Sequence, residues 1–236
     1  MKKHLLVALA SLSTAFGTAI PTEAANVNLT SFNSESWSYT VDFDEPDLAS
    51  ATGLTYDNLT FEYTGIENVA QYLSVTSLVG DQALKIDTRA GYDNVLTTDN
   101  GANNASIRFD FLQDENGAKI AVGQRLKRLK LLEINNSESY IKIFLSELGL
   151  QENTENPIGE AIAGDSTARL IRLGAAADQD LDIGYEVTSF EVYLDNGGAI
   201  AEVEFVPEPL TLLGSGVALT LGILLRRKRN SEAAEA

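Results

Sequence analysis

Carboxylates are the residues of this sequence with the clearest capacity for chemistry. The chain of 236 residues contains 34 aspartates and glutamates, no cysteine and one histidine, His4. With no thiol, and no imidazole beyond the fourth residue, disulfides, thiolate or imidazole metal sites and Ser-His-Asp triads are excluded. Two kinds of chemistry remain: metal binding through oxygen ligands, and acid–base catalysis by paired carboxylates.

One acidic cluster follows the first clear strand pattern. It comprises Asp42, Asp44, Glu45 and Asp47, with Pro46 between them. Calcium favours such oxygen ligands from loops. Many jelly-roll carbohydrate-binding modules hold a structural calcium between their first and last strands, and Asp195 lies between the last two strand patterns here. By this analogy in fold we predict a calcium site formed by Asp42, Asp44 and Asp195; the alternative is a solvated acidic loop.

Two other motifs have simpler explanations. Asp178, Asp180 and Asp182 alternate as in a calcium loop, but the glycine comes one place late and the closing glutamate is missing. In an extended segment the same spacing puts three acids on the wet face. Ser139 and Lys142 match the Ser-x-x-Lys spacing of serine–lysine hydrolases, which requires a helix, whereas this segment has the pattern of a strand. Neither motif is predicted to be a site.

Two ways of acting on glycans remain open. A pair of carboxylates about 5 to 10 Å apart can hydrolyse a glycoside without histidine or cysteine. Alternatively, flat aromatic rings can stack on pyranose faces and form a binding platform. The rings considered are those of Trp37, Tyr39, Tyr56, Tyr63, Tyr72 and Tyr92. Trp37 and Tyr39 share one face of a predicted strand, and we expect that face to lie in the core.

The elements that must position these residues are mostly strands. Apolar and polar residues alternate from Trp37 to Phe43, which is the pattern of a strand with one buried face. Similar runs occupy residues 60–63, 72–78, 83–86, 105–111, 129–134, 140–145, 168–173, 187–194 and 200–206. Turn-forming clusters such as Asn116-Gly117 and Asn196-Gly197-Gly198 separate several of them. The pattern predicts one all-β domain over residues 25–205, a β-sandwich that is jelly-roll-like.

Helix is expected to be scarce in this domain. One short helix is predicted, either within Lys119 to Leu132 or around Ala175 to Asp178. The segment from Asn153 to Gly164 is predicted to be a long loop, because neither side of it holds enough strands to form an independent domain.

The charge of the domain limits its partners. Residues 25–209 carry 11 basic and 31 acidic residues, a net charge of −20. Such a domain repels phosphate backbones and anionic headgroups, so nucleic acid is not expected as a partner.

The N-terminus is typical of a secretory signal peptide. Lys2 and Lys3 precede a short, mostly apolar run, which Pro21 ends just before the small residues Ala24 and Ala25. We predict a signal peptide over residues 1–24 and export of the remainder.

The C-terminus combines three elements. A Pro-Glu-Pro motif, Pro207, Glu208 and Pro209, lies within residues 206–209; it precedes an uncharged segment over residues 210–225 and a basic cluster. The cluster consists of Arg226, Arg227, Lys228 and Arg229, and residues 230–236 form a polar tail. As a helix, the uncharged segment is about 24 Å long, slightly short of a hydrocarbon core of about 30 Å. The basic cluster is expected to stop in the cytoplasm, which leaves the acidic domain outside.

This tail resembles the PEP-CTERM sorting signal of bacterial exported proteins over residues 206–229. The resemblance implies a substrate of an exosortase, a membrane protease-transpeptidase that recognises the Pro-Glu-Pro motif and processes the tail. It further implies anchoring by the C-terminal helix before processing, then delivery to the cell surface or to an extracellular matrix of exopolysaccharide and biofilm.

The sequence therefore favours an exported, surface-sorted, non-enzymatic β-sandwich with a structural or adhesive role in the envelope or matrix. Glycan binding is the biochemical activity we expect of it. The alternative is a secreted carbohydrate-active enzyme that uses a carboxylate pair, and a calcium-stiffened matrix protein that binds no sugar is a third possibility.

Overall fold

The structure is a computed structural model, which describes residues 23–30, 32–43, 48, 53–64, 69–80, 82–89, 91–99 and 104–207. These residues form fifteen strands and one helix, so the predicted all-β class is confirmed. In chain order the elements are β1 (Glu23–Asn28), β2 (Phe32–Asn33), β3 (Ser38–Val41), β4 (Thr55–Thr64), β5 (Ala70–Ser77), β6 (Leu84–Arg89), β7 (Tyr92–Thr98), β8 (Ala105–Glu115), β9 (Ala118–Ala121), β10 (Gln124–Ile134), β11 (Tyr140–Leu145), α1 (Glu147–Glu155), β12 (Glu160–Ile162), β13 (Asp165–Arg172), β14 (Ala176–Leu194) and β15 (Ala199–Val206).

Hydrogen bonding closes eight of the strands into a barrel. The order around the ring is β14, β10, β15, β7, β6, β4, β5 and β8, and β8 pairs again with β14. The ring is uneven: β15 joins β7 through the single pair Ile200–Leu96, whereas β10 and β14 are paired along most of their length. The observed arrangement is therefore a closed barrel in place of the two separate sheets that define a jelly-roll sandwich.

The long strand β14 is the element that closes the ring. Its first half pairs with β10, and its second half lies between β11 and β8. The change occurs at Val187, which is opposite both Gln124 and Leu145. Three residues earlier, Gly184 has a φ of +74°, a backbone conformation that costs glycine little.

Alternation along the strands builds the core. In β8, Ile107, Phe109 and Phe111 are fully buried, and the residues between them are partly exposed. The same alternation holds in β5 and β11. It also holds at the start of β14, where Asp178, Asp180 and Asp182 are exposed, so the extended, water-facing arrangement expected for these aspartates is confirmed.

Two predicted turns form as their residues require. Asn116 and Gly117 have φ angles of +56° and +84°, and they connect β8 to β9 in the tight hairpin expected of an Asn-Gly pair. Asn196, Gly197 and Gly198 all have positive φ angles in the connection from β14 to β15.

The predicted helix positions are wrong. Residues 118–121 and 124–134 form β9 and β10, and β14 begins at Ala176. The helix is α1, whose end overlaps the segment predicted to be a loop. Ser146 caps it by accepting a hydrogen bond from the Gly149 N–H at 3.1 Å. Gly149 lies so close to the carbonyl oxygen of Glu186 that a Cβ atom would come within 2.0 Å, which explains a glycine inside so short a helix.

The two ends of the barrel differ in what they carry. At the exit end, where β15 finishes, Phe205 pairs with Tyr39 and Val206 pairs with Arg125. At the opposite end, β15 begins at Ala199 beside Leu132, close to the turns that follow β10 and β14. The length of β15, about 25 Å for eight residues, separates the two ends.

Both predicted boundaries of the domain lie close to the ends of the strands. Glu23 and Ala24 already pair with β4, so cleavage after Ala24 would remove the first two pairs of β1. Glu208, Pro209 and the basic cluster Arg226 to Arg229 lie outside the described residues, as does the predicted membrane segment over residues 210–225. Within the part of the chain that the structure describes, no helix is long and apolar enough to cross a membrane.

Candidate functional site

An open groove lies on the outer face of the barrel, at the end opposite the exit end. We call it the tyrosine groove. It is lined by Glu138, Tyr140, Ile162, Leu170, Arg172, Tyr193 and Asp195, and its volume is about 710 Å³. This size and a mixed lining of rings, aliphatic side chains and a few charged groups are typical of small-molecule sites.

The two tyrosines meet through strand pairing. Tyr140 is the first residue of β11 and lies opposite Tyr193 of β14. Their rings stack, with centroids 4.8 Å apart and planes inclined by 21°. Because each ring uses one face in this contact, only the opposite faces can stack on a ligand.

The acidic side of the groove stands on two interlocked turns. The turn after β10 supplies Glu138, and the turn after β14 supplies Asp195. Asn136 of the first turn donates a hydrogen bond to the Asp195 carboxylate, and the buried Ser139 accepts one from the Asp195 N–H at 2.9 Å. Both the carboxylate and the backbone of Asp195 are therefore held by the turn after β10.

The strands beside β11 supply the remaining lining. Leu170 and Arg172 come from β13, and Ile162 from β12. Arg172 is paired with Glu160, Nε to Oε2, at 3.6 Å, and both side chains are largely exposed. An exposed ion pair of this kind contributes little to stability, so its guanidinium can be redirected to a ligand at small cost.

The hydroxyl of Tyr193 is held in its protonated form. Burial, with the negative charges of Asp195 and Glu138 and the adjacent Tyr140, raises its pKa, against a hydrogen bond with Asn104 that lowers it. At neutral pH this hydroxyl can therefore serve as a hydrogen-bond donor in the groove.

The same outer face continues from the groove along β11 and β14. Its basic side chains there are paired with acidic ones. The Arg108 guanidinium binds Asp110 at 2.9 Å and Glu191 at 2.8 Å. Arg108 and Lys142 both lie over the Phe144 ring, at 5.0 and 4.4 Å from its centroid. This surface is balanced in charge, so its polar groups can extend contacts with a ligand longer than the groove.

The sequence missed these tyrosines. The sequence does not single out Tyr140 or Tyr193 as platform rings, because the pattern gives the face of a residue but not its partner across strands. The two residues stand 53 positions apart, and the one available signal was that both lie at strand ends predicted to carry turns. Of the rings named as platform candidates, Tyr39 is buried as expected, whereas Trp37 is 59% exposed, so its predicted place in the core is wrong. Trp37 precedes β3 with a φ of +52°, which turns it away from the strand face.

The residues predicted to bind calcium do not form a described cluster. Asp42 follows β3 and is exposed, Asp195 lies beside the tyrosine groove, and Asp44 lies outside the described residues. Within the described ranges no group of three or more acidic, histidine or cysteine side chains could hold a metal ion. The site formed by Asp42, Asp44 and Asp195 stays a prediction.

The segment from Ser139 to Lys142 is extended, as predicted. Ser139 is fully buried and its hydroxyl accepts the Asp195 N–H. Lys142 lies within β11, with its ammonium 4.0 Å from Glu191. The serine is thus a structural anchor for the groove.

A second polar cluster surrounds Glu204 near the exit end. Its Oε1 atom accepts hydrogen bonds from Ser38 at 2.8 Å and from Lys127 at 2.6 Å, and its Oε2 atom lies 3.3 Å from Arg128. Burial alone raises the pKa of this carboxyl, but the hydrogen bonds and charges of Lys127, Ser38 and Arg128 outweigh it and hold the pKa below its usual range.

This lowered pKa makes stability depend on pH in a defined direction. Glu204 stabilises the native state above its unfolded pKa of about 4.3, and the contribution is lost as pH falls through the folded pKa. We expect Glu204→Gln to lower the free energy of unfolding by about 2 kcal/mol at pH 7, and by less below about pH 4. Urea unfolding at both pH values measures this, with the exposed Glu115→Gln as control. A loss of stability that is equal at the two pH values would contradict the assignment.

Two comparisons with known proteins find no relative of this chain. No family model matches it, and the search of curated proteins finds no match either.

Proposed function

We propose that this chain is an exported, surface-sorted, non-enzymatic protein that binds a glycan of the extracellular polysaccharide matrix in the tyrosine groove. Its role is structural or adhesive. The observation that carries the proposal is the groove itself, where two tyrosine rings, two carboxylates and an arginine converge in a volume of about 710 Å³. Aromatic faces suit pyranose rings, and carboxylates and guanidinium groups suit the surrounding hydroxyls.

The shape of the groove supports a polymer as ligand. It is open along the outer face, and the charge-balanced surface around Phe144 continues from it. A polysaccharide can pass through such a site, whereas a closed cavity would admit only its end. A net charge of −20 over residues 25–209 agrees with neutral glycan in preference to nucleic acid.

The tail supports the proposed localisation. The Pro-Glu-Pro motif, the apolar segment and the basic cluster make an exosortase the expected partner, with membrane anchoring before processing and the cell surface or matrix afterwards. That the barrel is related to the jelly rolls is a further hypothesis. A structural calcium bound by Asp42, Asp44 and Asp195 is another.

Binding can be tested with a glycan array on the exported protein, with and without calcium. We expect Tyr140→Ala to weaken binding to any glycan found at least tenfold, because the groove loses its aromatic wall. A tenfold change corresponds to about 1.4 kcal/mol. The control is Tyr72→Ala, which removes a tyrosine from the outer face of β5, away from the groove. Equal binding by both variants would contradict the assigned site, and dependence on calcium would support the predicted metal.

One observation favours the alternative of a carbohydrate-active enzyme: Glu138 and Asp195 line the same groove. A carboxylate pair is the minimal equipment for glycoside hydrolysis. The bound oligosaccharides separate the two functions. A binding protein returns them intact after prolonged incubation, whereas an enzyme shortens them, and Asp195→Asn would then stop the shortening while Tyr140 still supports binding.

A further inference from the structure

The exit end of the barrel carries an exposed aromatic pair. Phe32 and Trp37 are 42% and 59% exposed, and their rings meet edge to face with centroids 6.2 Å apart. Phe32 also lies 5.0 Å from the ring of Tyr39, which stacks on Phe205 of β15 at 5.9 Å. The pair therefore lies beside the last residues of β15, where the chain leaves the fold.

The chain leaves the domain without a spacer. Val206 ends β15, and Pro207 is buried. Glu208 and Pro209 alone separate Pro207 from Leu210, the first residue of the predicted membrane segment. Three residues span at most about 10 Å, and the headgroup layer on one side of a bilayer is about 5 to 7 Å thick. An unprocessed, anchored chain must therefore hold its exit end at the membrane interface.

The backbone conformation of the hairpin between β2 and β3 does not itself favour a large ring at position 37. The side chain of Asn33 shapes the turn by accepting hydrogen bonds from the N–H groups of Glu35 and Ser36, at 2.9 and 3.2 Å. Trp37 adopts a φ of +52°, which bulky side chains rarely take. Folding alone would favour asparagine or glycine there, whereas tryptophan is enriched at membrane–water interfaces.

We propose that Phe32 and Trp37 insert into the headgroup layer of the membrane that holds the unprocessed chain. The inference rests on the membrane anchoring of the proposed function. This contact sets the barrel upright, with the tyrosine groove about 25 Å farther from the bilayer, at the other end of β15. Glu35 is the exposed anion of the hairpin, so the contact is suited to zwitterionic lipid.

Trp37 is the one tryptophan of the chain, so its fluorescence reports this contact directly. The full-length exported protein, with its tail intact, is reconstituted into phosphatidylcholine vesicles with and without lipid brominated near the headgroup. We expect at least twofold quenching of Trp37 by the brominated lipid, with a blue-shifted emission. The matched control combines Trp37→Phe with Leu78→Trp. Leu78 is 46% exposed and follows β5 at the groove end, beside Ser106, so no quenching is expected.

Flotation of the same vesicles distinguishes the contact from the anchor. Quenching in the wild type but not in the control supports the proposal. If the protein floats but Trp37 is not quenched, or if both forms are quenched equally, the proposed contact is contradicted and the proposed anchoring is not. Protein that does not float contradicts both.

Discussion

Replacing Phe205 with alanine is expected to lower the free energy of unfolding by about 4 kcal/mol, because the change opens a cavity in an aromatic cluster. Phe205 is fully buried in β15. Its ring lies 4.9 Å from that of Tyr63, 5.1 Å from that of Phe111 and 5.9 Å from that of Tyr39. These partners belong to three different strands, so no single neighbour can move to fill the space.

Urea unfolding of the exported protein measures this effect. Phe32→Ala removes the same side chain from a site that is 42% exposed, and we expect it to cost less than about 1 kcal/mol. Phe205→Leu keeps most of the volume and should cost less than Phe205→Ala. A loss for Phe205→Ala no larger than that for Phe32→Ala would show that the cluster does not hold β15 in the barrel.

The contrast between β8 and β1 shows what the sequence can reveal about this fold. Strict alternation from Ala105 to Phe111 identified β8, because a strand with one buried face imprints its period of two on the sequence. Glu23–Asn28 has a weaker pattern and follows a signal-like segment, so β1 was missed. Its parallel pairing with β4 could not be inferred, since pairing is a property of two distant segments.

The helix and the closure of the barrel also depend on contacts between segments that are distant in the sequence. The sequence of α1 is only weakly amphipathic, and the helix is held by the Ser146 cap and by close packing of Gly149 on β14. Closure depends on Val187, where β14 leaves one set of neighbours for another. Nothing in the run of alternating residues marks that position.

The candidate site could be predicted from the sequence only in part. The sequence predicted the turn that carries Asp195 and named this residue as a calcium ligand, whereas glycan binding stays a prediction. It could not bring Asp195 beside Tyr140, because their proximity requires the register between β11 and β14 and the hydrogen bond from Asn136. The exposure of Trp37 was hidden because one left-handed residue before β3 breaks the alternation.

The proposed sorting motif begins where the last core strand ends, and this decides how it should be tested. Pro207 is buried against the domain, so replacing it would combine a folding effect with a recognition effect. Glu208 is the next residue of the motif and lies outside the described fold. Its carboxylate is also the one charge between the end of β15 and the basic cluster, so it is the residue to change in a test of the proposed recognition by an exosortase.

Glu208→Ala is expected to reduce processing of the tail at least tenfold in a host that contains an exosortase, because the enzyme loses the charged centre of its motif. The variant should accumulate in the membrane at full length, while the wild type appears at the surface or in the medium at a lower mass. Immunoblots of the fractions measure both pools. Glu232→Ala, in the polar tail beyond the basic cluster, is the matched control and should be processed normally. If Glu208→Ala is released as efficiently as Glu232→Ala, the proposed role of the Pro-Glu-Pro motif in sorting is contradicted. The proposed delivery of the groove to the matrix is then contradicted as well.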